Sequence, residues 1–174
     1  PVTAAAVILP LGTNLADLND SKKLSKTKRE KLRIEIENIA LAYSVVNVDS
    51  KTIDEINILN ATIKAMHSAI KLLGVKPDHL LIDGNYFDQY IDIPHRCIIK
   101  GDSKYQNIAA ASILAKTYRD DLMINLDSKF EKYGWKKNKG YGTKEHRIAI
   151  KKHGTTKYHR KSFRLLNKQL VLNI

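Results

Sequence analysis

The feature that most constrains the fold is an alternation between short apolar runs and longer amphipathic stretches. Four apolar runs have the length of a strand: residues 1–10, 41–48, 79–82 and 96–99. Between and after them, apolar residues recur at helical spacing, and two such stretches are long: residues 54–73 and 105–132. Strands that alternate with helices are typical of an α/β protein. The order therefore predicts one α/β domain over residues 1–174.

Local signals predict the helix boundaries. Thr27 and Glu30 have the spacing of a capping box, so the first helix is expected to begin at Ser25 or Thr27. The two long helices are expected to begin near Asp54 and Tyr105. After them we expect a basic loop, a short helix and a last helix, at residues 136–143, at 144–152 and from 159 onward.

The composition favours a polyanionic partner. Thirty Lys and Arg residues against eighteen Asp and Glu give a formal charge of +12. Nucleic acid is the commonest partner of such a chain, although the charge could serve solubility alone. The single cysteine, Cys97, excludes an intramolecular disulfide and a cysteine-based zinc finger. No apolar run approaches the length of a membrane span and no secretory signal is visible, so we expect a cytoplasmic protein without membrane contact.

Two acidic residues stand out by their position. Asp83 and Asp102 each follow a short apolar strand, and each adjoins a glycine. If the two strands are parallel neighbours, both carboxylates lie at one edge of the sheet, where functional groups collect in open α/β sheets. Carboxylate oxygens are ligands for Mg²⁺, so the pair is a candidate metal site. The alternative is that each aspartate only caps the turn that follows it.

Basic residues cluster in three places, and the middle cluster contains an aromatic ring. In KKNKGYGTKEH, Lys139 comes just before the first glycine, and Tyr141 lies between the two glycines in a run of cations. Cations bind phosphate, an aromatic ring can pack on a sugar or base, and glycine lets the backbone approach a ligand. A solvated surface loop is the alternative. Lys22 and Lys23, in the first cluster, are candidate phosphate contacts.

The three histidines of the C-terminal region do not have the spacing of a compact zinc motif. His146, His153 and His159 are separated by seven and six residues, and the chain has no partner cysteines for them. We expect these histidines to have ordinary hydrogen-bond partners and to lie on the surface or behind the site, without binding a metal.

Seven segments, taken in order along the chain, resemble the ribonuclease HII family. They are VTAAAVILP (2–10), DSKKLS (20–25), DEINILNAT (54–62), IDGN (82–85), KGDSKYQNIAAASILAKTYRD (100–120), NKGYGTKEH (138–146) and HRKSF (159–163). The resemblance implies an RNase H-like fold, in which helices flank a mixed five-stranded sheet and a helical C-terminal extension follows. It also implies that residues 135–174 hold a basic substrate-binding loop and C-terminal helices.

The resemblance assigns roles to individual residues. Asp83 and Asp102 correspond to two of the four acids that hold two divalent ions, Mg²⁺ or Mn²⁺, in this family. Tyr141 corresponds to the tyrosine that packs on the sugar at the junction between ribonucleotide and deoxyribonucleotide. Asn57 and Asn60, three residues apart on a predicted helix, share a face and resemble residues that touch the DNA strand. Arg160 and His146 resemble residues that support the site or the substrate path.

The family's other two acids belong to a motif resembling DEAGRG, which the 174 residues do not contain. The domain is therefore expected to be N-terminally incomplete. The resemblance implies an upstream segment of roughly twenty residues that completes the site. Without that segment we expect weak metal binding and poor folding.

The expected function is a monomeric endoribonuclease that cleaves RNA in RNA·DNA hybrids and cuts 5′ of ribonucleotides in duplex DNA. The alternative from another class is a catalytically inactive module that only binds nucleic acid. A third possibility, the sister enzyme ribonuclease HIII, is disfavoured because that family typically has an extra N-terminal domain.

Overall fold

Strands and helices alternate in the order that the sequence predicts. The computed structural model describes residues 1–15, 18, 24–164 and 166. The strands within them are β1 (Val2–Ile8), β2 (Ala42–Val48), β3 (Leu80–Asp83) and β4 (His95–Ile98). The helices are α1 (Lys26–Ile39), α2 (Ser50–Lys71), α3 (Gln106–Asp127), α4 (Trp135–Asn138) and α5 (Lys144–His153). Short 3₁₀ turns lie at Gly101–Ser103 and Glu131–Tyr133.

One of the first two helices begins at a predicted residue and the other begins earlier than predicted. The side chain of Ser25 accepts a hydrogen bond from the Lys28 amide, so Ser25, one of the two predicted starts, caps α1, and the capping box at Thr27 does not form the cap. Asp49 accepts from the Thr52 amide at 2.8 Å, and α2 begins at Ser50 rather than at Asp54. A residue at the end of β2 thus also caps the next helix, which leaves no loop between them.

Helix α2 is interrupted at Asn57, whose backbone has φ 65° and ψ 170°. The Asn57 side chain accepts a hydrogen bond from the Asn60 amide at 3.1 Å and so caps the second half of the helix. The two asparagines are therefore neighbours, but Asn57 lies at a break in the helix and not within the continuous helix that the prediction assumed. A positive φ at a residue other than glycine is strained, so tertiary packing holds the kink in place.

The C-terminal region is less helical than predicted. Helix α3 ends at Asp127 rather than at Lys132, and Gly134, in the left-handed conformation, then turns the chain into α4. No helix occurs at residues 159–164. The rest of the predicted last helix, at 165 and 167–174, lies outside the described residues.

The strands form two ladders. β1 pairs with β2 in antiparallel register, from Val2 opposite Val48 to Ile8 opposite Ala42. β3 pairs with β4 in parallel, which confirms that the two strands carrying the candidate aspartates are neighbours. The resemblance implies a single five-stranded sheet, whereas the described part of the chain forms four strands in two separate ladders.

A groove of about 670 Å³ separates the two ladders. Consecutive residues of β1 (Thr3 to Ile8) and of β3 (Leu80 to Asp83) line it, together with residues of α2 and α3. Successive side chains of a strand point to opposite faces, so lining by consecutive residues means that the strand edges face the groove. Within the described chain, each of these edges lacks a ladder partner.

Helix α3 is the central packing element. Its Ala110, Ile113 and Leu114 are fully buried against α1 and the segment that follows β1. At its far end, Met123 and Leu126 join an aromatic cluster that contains the rings of Tyr133 and Trp135. This cluster attaches the basic C-terminal layer to the α/β body. No helix in the described residues is long and apolar enough to cross a membrane.

Candidate active site

The two candidate aspartates lie on adjacent strand ends. Asp83 is the last residue of β3 and is exposed, and its Oδ1 accepts a hydrogen bond from the Gly101 amide at 2.9 Å. Asp102 lies in the 3₁₀ turn that follows β4 and is 8% exposed. The Asp83 carboxylate therefore holds the turn that carries Asp102, which confirms the predicted closeness of the two residues.

Gly101 brings this turn close to α3. A Cβ atom at Gly101 would lie 2.5 Å from Cδ1 of Ile108 and 3.4 Å from Cβ of Ile98. Such a contact is far shorter than carbon atoms allow, so a side chain here would push the turn away from α3. The glycine of the KGD segment thus fixes where Asp102 sits.

The chemistry of this donor set suits a hard divalent cation. Mg²⁺ is commonly bound by one or two carboxylates with substrate phosphate and water as the remaining ligands. Asp83 and Asp102 supply two carboxylates. Among the described residues no group of three His, Cys, Asp or Glu side chains could hold a metal ion. The described residues therefore offer part of a two-ion site.

Tyr141 is exposed on a loop whose backbone is held in place. Its amide donates to the Asn138 carbonyl at 2.8 Å, and its carbonyl accepts from the Thr143 amide at 2.8 Å. Lys139 and Gly140 both adopt the left-handed conformation, with φ 51° and 79°. The ring of Tyr141 remains 64% exposed. A large exposed ring on a fixed backbone is typical of a ligand-binding surface.

Two arginines accompany Tyr141. The Arg119 guanidinium carbon lies 5.6 Å from the Tyr141 ring centroid, and Nη2 of Arg119 donates to the Lys139 carbonyl at 2.9 Å. Arg160 donates to the Pro1 carbonyl at 2.8 Å. Burial and the positive charge of Arg119 lower the pKa of Arg160, while Asp54 and Tyr141 oppose this effect. Two cations that disfavour each other's charge would be stabilised by an anion such as phosphate.

Arg119 is not among the site residues predicted from the sequence. In the structure, the two neighbouring aspartates of α3 have other partners: Lys116 pairs with Asp120 at 2.5 Å, and Arg33 of α1 pairs with Asp121. Residues one or two apart on a helix do not face each other, so Arg119 points away from both aspartates and contacts the Tyr141 loop. The sequence carries no signal for this contact, because it depends on how the loop packs on α3.

The remaining candidates are not brought together. Burial lowers the pKa of Lys139, and the charges that act on it belong to α1 and α3: Asp120, Lys26, Lys116 and Asp121. Asn57 and Asn60 are exposed at the α2 kink. Lys22 and Lys23 lie outside the described residues.

Two of the three histidines are buried rather than exposed. His146 and His159 are each 5% exposed, and their Nε2 atoms lie 3.2 Å apart. His153 is exposed at the end of α5. His153 thus lies on the surface and the buried pair lies behind the Tyr141 loop, which are the two positions expected, and the hydrogen bonds of the pair link α5 to the segment around residue 159.

The fold and the site together define a class of protein. Paired carboxylates end adjacent strands of an α/β fold, and a basic layer with an exposed tyrosine follows, in a chain of charge +12. These features are those of a metal-dependent nuclease of the RNase H type.

Comparison with known proteins identifies the family. The family model "Ribonuclease HII" matches residues 1–166. The chain is 61% identical to the ribonuclease HII of Christiangramia forsetii over 173 residues, which cover 99% of this chain and 87% of that protein. It is 58% identical to the ribonuclease HII of Bacteroides thetaiotaomicron, with coverages of 99% and 86%. The chain belongs to the ribonuclease HII family.

A solved structure agrees with this assignment. The ribonuclease H2 of Pyrococcus horikoshii OT3 superposes with a TM-score of 0.70 at 25% identity, covering 84% of this chain and 76% of that one. The predicted RNase H-like fold and the predicted enzyme class are confirmed. The chain is an endoribonuclease that acts on RNA·DNA hybrids, and its family uses divalent metal ions.

Proposed function

We propose that the enzyme cuts on the 5′ side of ribonucleotides embedded in duplex DNA as well as within RNA·DNA hybrids. The products are 3′-hydroxyl and 5′-phosphate ends, and the reaction uses two divalent ions, Mg²⁺ or Mn²⁺. The single observation that carries this proposal is the placement of Asp83 and Asp102 on adjacent strand ends, where the Asp83 carboxylate bonds the turn that carries Asp102.

Asp83 and Asp102 are the residues that would hold metal. When bound, divalent ions supply an acidified attacking water and stabilise the leaving 3′ oxygen. The hydrogen bond from the Gly101 amide orients Asp83, so its second oxygen is left for a cation. The low exposure of Asp102 strengthens its attraction to a cation, because fewer water molecules compete for the carboxylate.

Tyr141 would contact the sugar at the junction between ribonucleotide and deoxyribonucleotide. Its ring is exposed, while hydrogen bonds on both sides hold its backbone. Arg119 lies beside the ring, Arg160 is close enough to interact electrostatically with Arg119 and Tyr141, and the two arginines would bind a backbone phosphate there. Residues 135–174 would thus form the substrate-binding part, with Lys139 at its inner side.

The DNA strand would contact Asn57 and Asn60, with Lys22 and Lys23 as further phosphate contacts. The kink at Asn57 exposes both asparagine side chains at the start of a helical segment. Strained residues persist where the surroundings hold them, and they often mark ligand contacts.

We further propose that the groove between β1 and β3 holds an additional extended strand, supplied by a segment upstream of Pro1, which also brings the remaining acids. The groove has a volume of about 670 Å³, two strand edges face it, and Asp83 is one of its lining residues. Unpaired buried backbone groups cost about 1–3 kcal/mol each, so a strand in the groove would be strongly favoured. We also propose that the enzyme is a monomer and works in the cytoplasm, a reducing compartment that the lone Cys97 fits.

Hydrogen exchange tests the groove proposal. In the natural enzyme, amides of β1 and β3 that are not bonded in their own ladders should be protected. In the isolated 174-residue chain the same amides should exchange rapidly, and metal affinity measured by calorimetry should be weaker. A natural protein of 19.7 kDa with full activity would contradict the proposal.

Replacing either aspartate tests the metal site. In the natural enzyme, Asp83→Asn and Asp102→Asn should each lower cleavage at least ~100-fold, because each removes a metal ligand worth several kcal/mol. Binding of the hybrid, measured by fluorescence anisotropy in EDTA, should change less than about threefold. Asp92→Asn, on the exposed loop before β4, is the matched control and should cut normally. Full activity of both site variants would refute the assignment.

Replacing Tyr141 tests the sugar contact. Tyr141→Ala should slow cleavage at a single embedded ribonucleotide roughly tenfold, the factor expected from about 1–2 kcal/mol of ring stacking. Tyr141→Phe keeps the ring and should retain most activity. The loss should appear in cleavage more than in anisotropy-measured binding. Equal rates for the alanine variant and the wild type on this substrate would show that the ring does not contact the junction.

A further inference from the structure

A buried cluster of three rings lies directly behind the Tyr141 loop. His146 of α5 and His159 pack with Trp135 of α4, and each of the three is at most 5% exposed. The metal site does not use these histidines. Nε2 of His146 lies 3.1 Å from the indole nitrogen of Trp135 and 3.2 Å from Nε2 of His159.

The hydrogen-bond partners fix the protons on both histidines. The Thr156 amide donates to Nδ1 of His159 at 2.9 Å, so Nδ1 carries no proton and Nε2 must carry it. Nε2 of His159 then donates to Nε2 of His146, and the Trp135 indole N–H shares the single lone pair of that nitrogen. With Nε2 an acceptor, the proton of neutral His146 is on Nδ1.

That proton points at the loop of the nucleotide-binding tyrosine. Nδ1 of His146 lies 2.9 Å from the carbonyl oxygen of Tyr141. All donors therefore run in one direction, from the Thr156 amide through His159 and His146 to the Tyr141 carbonyl. Only neutral histidines give this order of donors. Burial and the neighbouring His146 lower the pKa of His159 to about 4, so His159 is neutral at neutral pH.

We propose that His146 and His159 are positioning residues, which fix the backbone of Tyr141 through this chain of hydrogen bonds so that its ring is held ready for the sugar of the substrate. The inference rests on the proposed role of Tyr141. Gly140 and Gly142 flank the tyrosine and would otherwise leave the loop mobile. A ring held before the substrate arrives avoids the entropy cost of ordering it in the complex.

Variants of His146 separate positioning from simple packing. In the natural enzyme, His146→Leu fills similar space but cannot donate to Tyr141. It should lower kcat at a single ribonucleotide roughly five- to tenfold, the factor that one lost hydrogen bond supplies. His146→Asn keeps an amide donor near the Nδ1 position and should recover part of the activity. Both variants should leave hybrid binding, measured by anisotropy, within about twofold of the wild type.

A double-mutant cycle gives the decisive comparison. If His146 acts through Tyr141, then adding His146→Leu to Tyr141→Ala should slow cleavage no further. Losses that simply multiply would overturn the proposal, as would unchanged kcat in His146→Leu. Thermal unfolding of each variant tests whether it is folded. If His146→Leu does not fold, His159→Asn replaces it, because this variant keeps the acceptor for Thr156 but breaks the link to His146.

Trp135 reports the protonation of His159 independently of any cleavage, since the centroids of the two rings are 5.2 Å apart. Protonated imidazole quenches indole fluorescence, and Trp135 is the one tryptophan in these 174 residues. The other titratable or charged groups near the histidines are Tyr133, which packs on both, Lys132 and His153, which contact Tyr133, and Arg160, which follows His159 in the chain. We expect steady fluorescence from pH 8 to 6 and quenching below pH 5, a signal that Trp135→Phe removes.

Quenching with a midpoint near pH 6.5 would overturn the neutral chain of donors and with it the proposal. This result does not depend on activity. Failure of the proposed function would instead appear as a wild-type enzyme that does not cut at embedded ribonucleotides, while the fluorescence of Trp135 still titrated below pH 5.

Discussion

Gly101 is the residue on which the position of Asp102 depends. A Cβ atom here would lie 2.5 Å from Cδ1 and 3.3 Å from Cγ2 of Ile108, so either the Ile108 side chain or the turn would have to move. The hydrogen bond from the Gly101 amide to Asp83 needs the same close approach. One residue without a side chain thus sets both carboxylates relative to α3.

Gly101→Ala should therefore lower the free energy of unfolding by about 1–3 kcal/mol, the usual cost of overpacking. Urea unfolding followed by circular dichroism measures this change. Gly142→Ala is the matched control, since its Cβ would meet Arg147 at an ordinary 3.5 Å, and it should change stability by less than about 0.5 kcal/mol. Equal stability of the two variants would show that the turn can move away from Ile108 at no cost.

At the scale of elements, the C-terminal segment is anchored on α2. Both carboxylate oxygens of Asp54 accept hydrogen bonds, from the Lys161 amide at 2.8 Å and from the amide and hydroxyl of Ser162 at 2.9 and 2.6 Å. Burial acts to raise the pKa of Asp54, but these donors outweigh it and hold the pKa below its ordinary value. The anchor fixes the segment that carries His159 and Arg160.

Asp54→Ala should release this segment from α2. We expect faster hydrogen exchange at the amides of Lys161 and Ser162, and a loss of about 1–2 kcal/mol of stability from the bonds removed. Glu55→Ala is the control, because Glu55 is exposed and has only an ion pair at 3.8 Å with Lys51. Unchanged exchange in the Asp54 variant would mean that other contacts hold the segment.

At the scale of the whole molecule, the buried histidine pair links folding to pH. The pKa of His159 falls from 6.5 to about 4 on folding, because of burial and the nearby His146. Between these values the unfolded chain binds a proton that the folded chain does not. The free energy of unfolding attributable to His159 is therefore constant above about pH 6.5 and falls as the pH drops toward 4.

The expected loss reaches roughly 3 kcal/mol by pH 4, from 1.36 kcal/mol for each pKa unit. Urea unfolding at pH 7.5, 6, 5 and 4 would measure it. Because carboxylates also titrate near pH 4, the prediction concerns the difference from His159→Asn, which lacks the titrating group. Parallel curves for the two proteins would show that His159 titrates normally in the folded state.

Much of the architecture follows from the sequence, because local patterns depend on local physics. Apolar runs of strand length and amphipathic stretches predict β3, β4, α2 and α3, and the aspartates at the strand ends predict the site. Caps are harder to predict. Of the two predicted starts of α1, Ser25 rather than Thr27 is the cap, and Asp49 rather than Asp54 caps α2, since several adjacent residues can cap and the packing of the helix selects one.

By itself, the sequence determined the family, the α/β order and the pair Asp83 and Asp102, because strand and helix periodicity and short motifs are written in consecutive residues. Only the tertiary structure decided which residues meet across the chain. Arg119 contacts the Tyr141 loop because that loop packs on its face of α3, and His146 meets His159 across thirteen residues inside an aromatic cluster. Such partnerships depend on how elements pack, since burial forces each polar group to find a partner wherever the fold provides one.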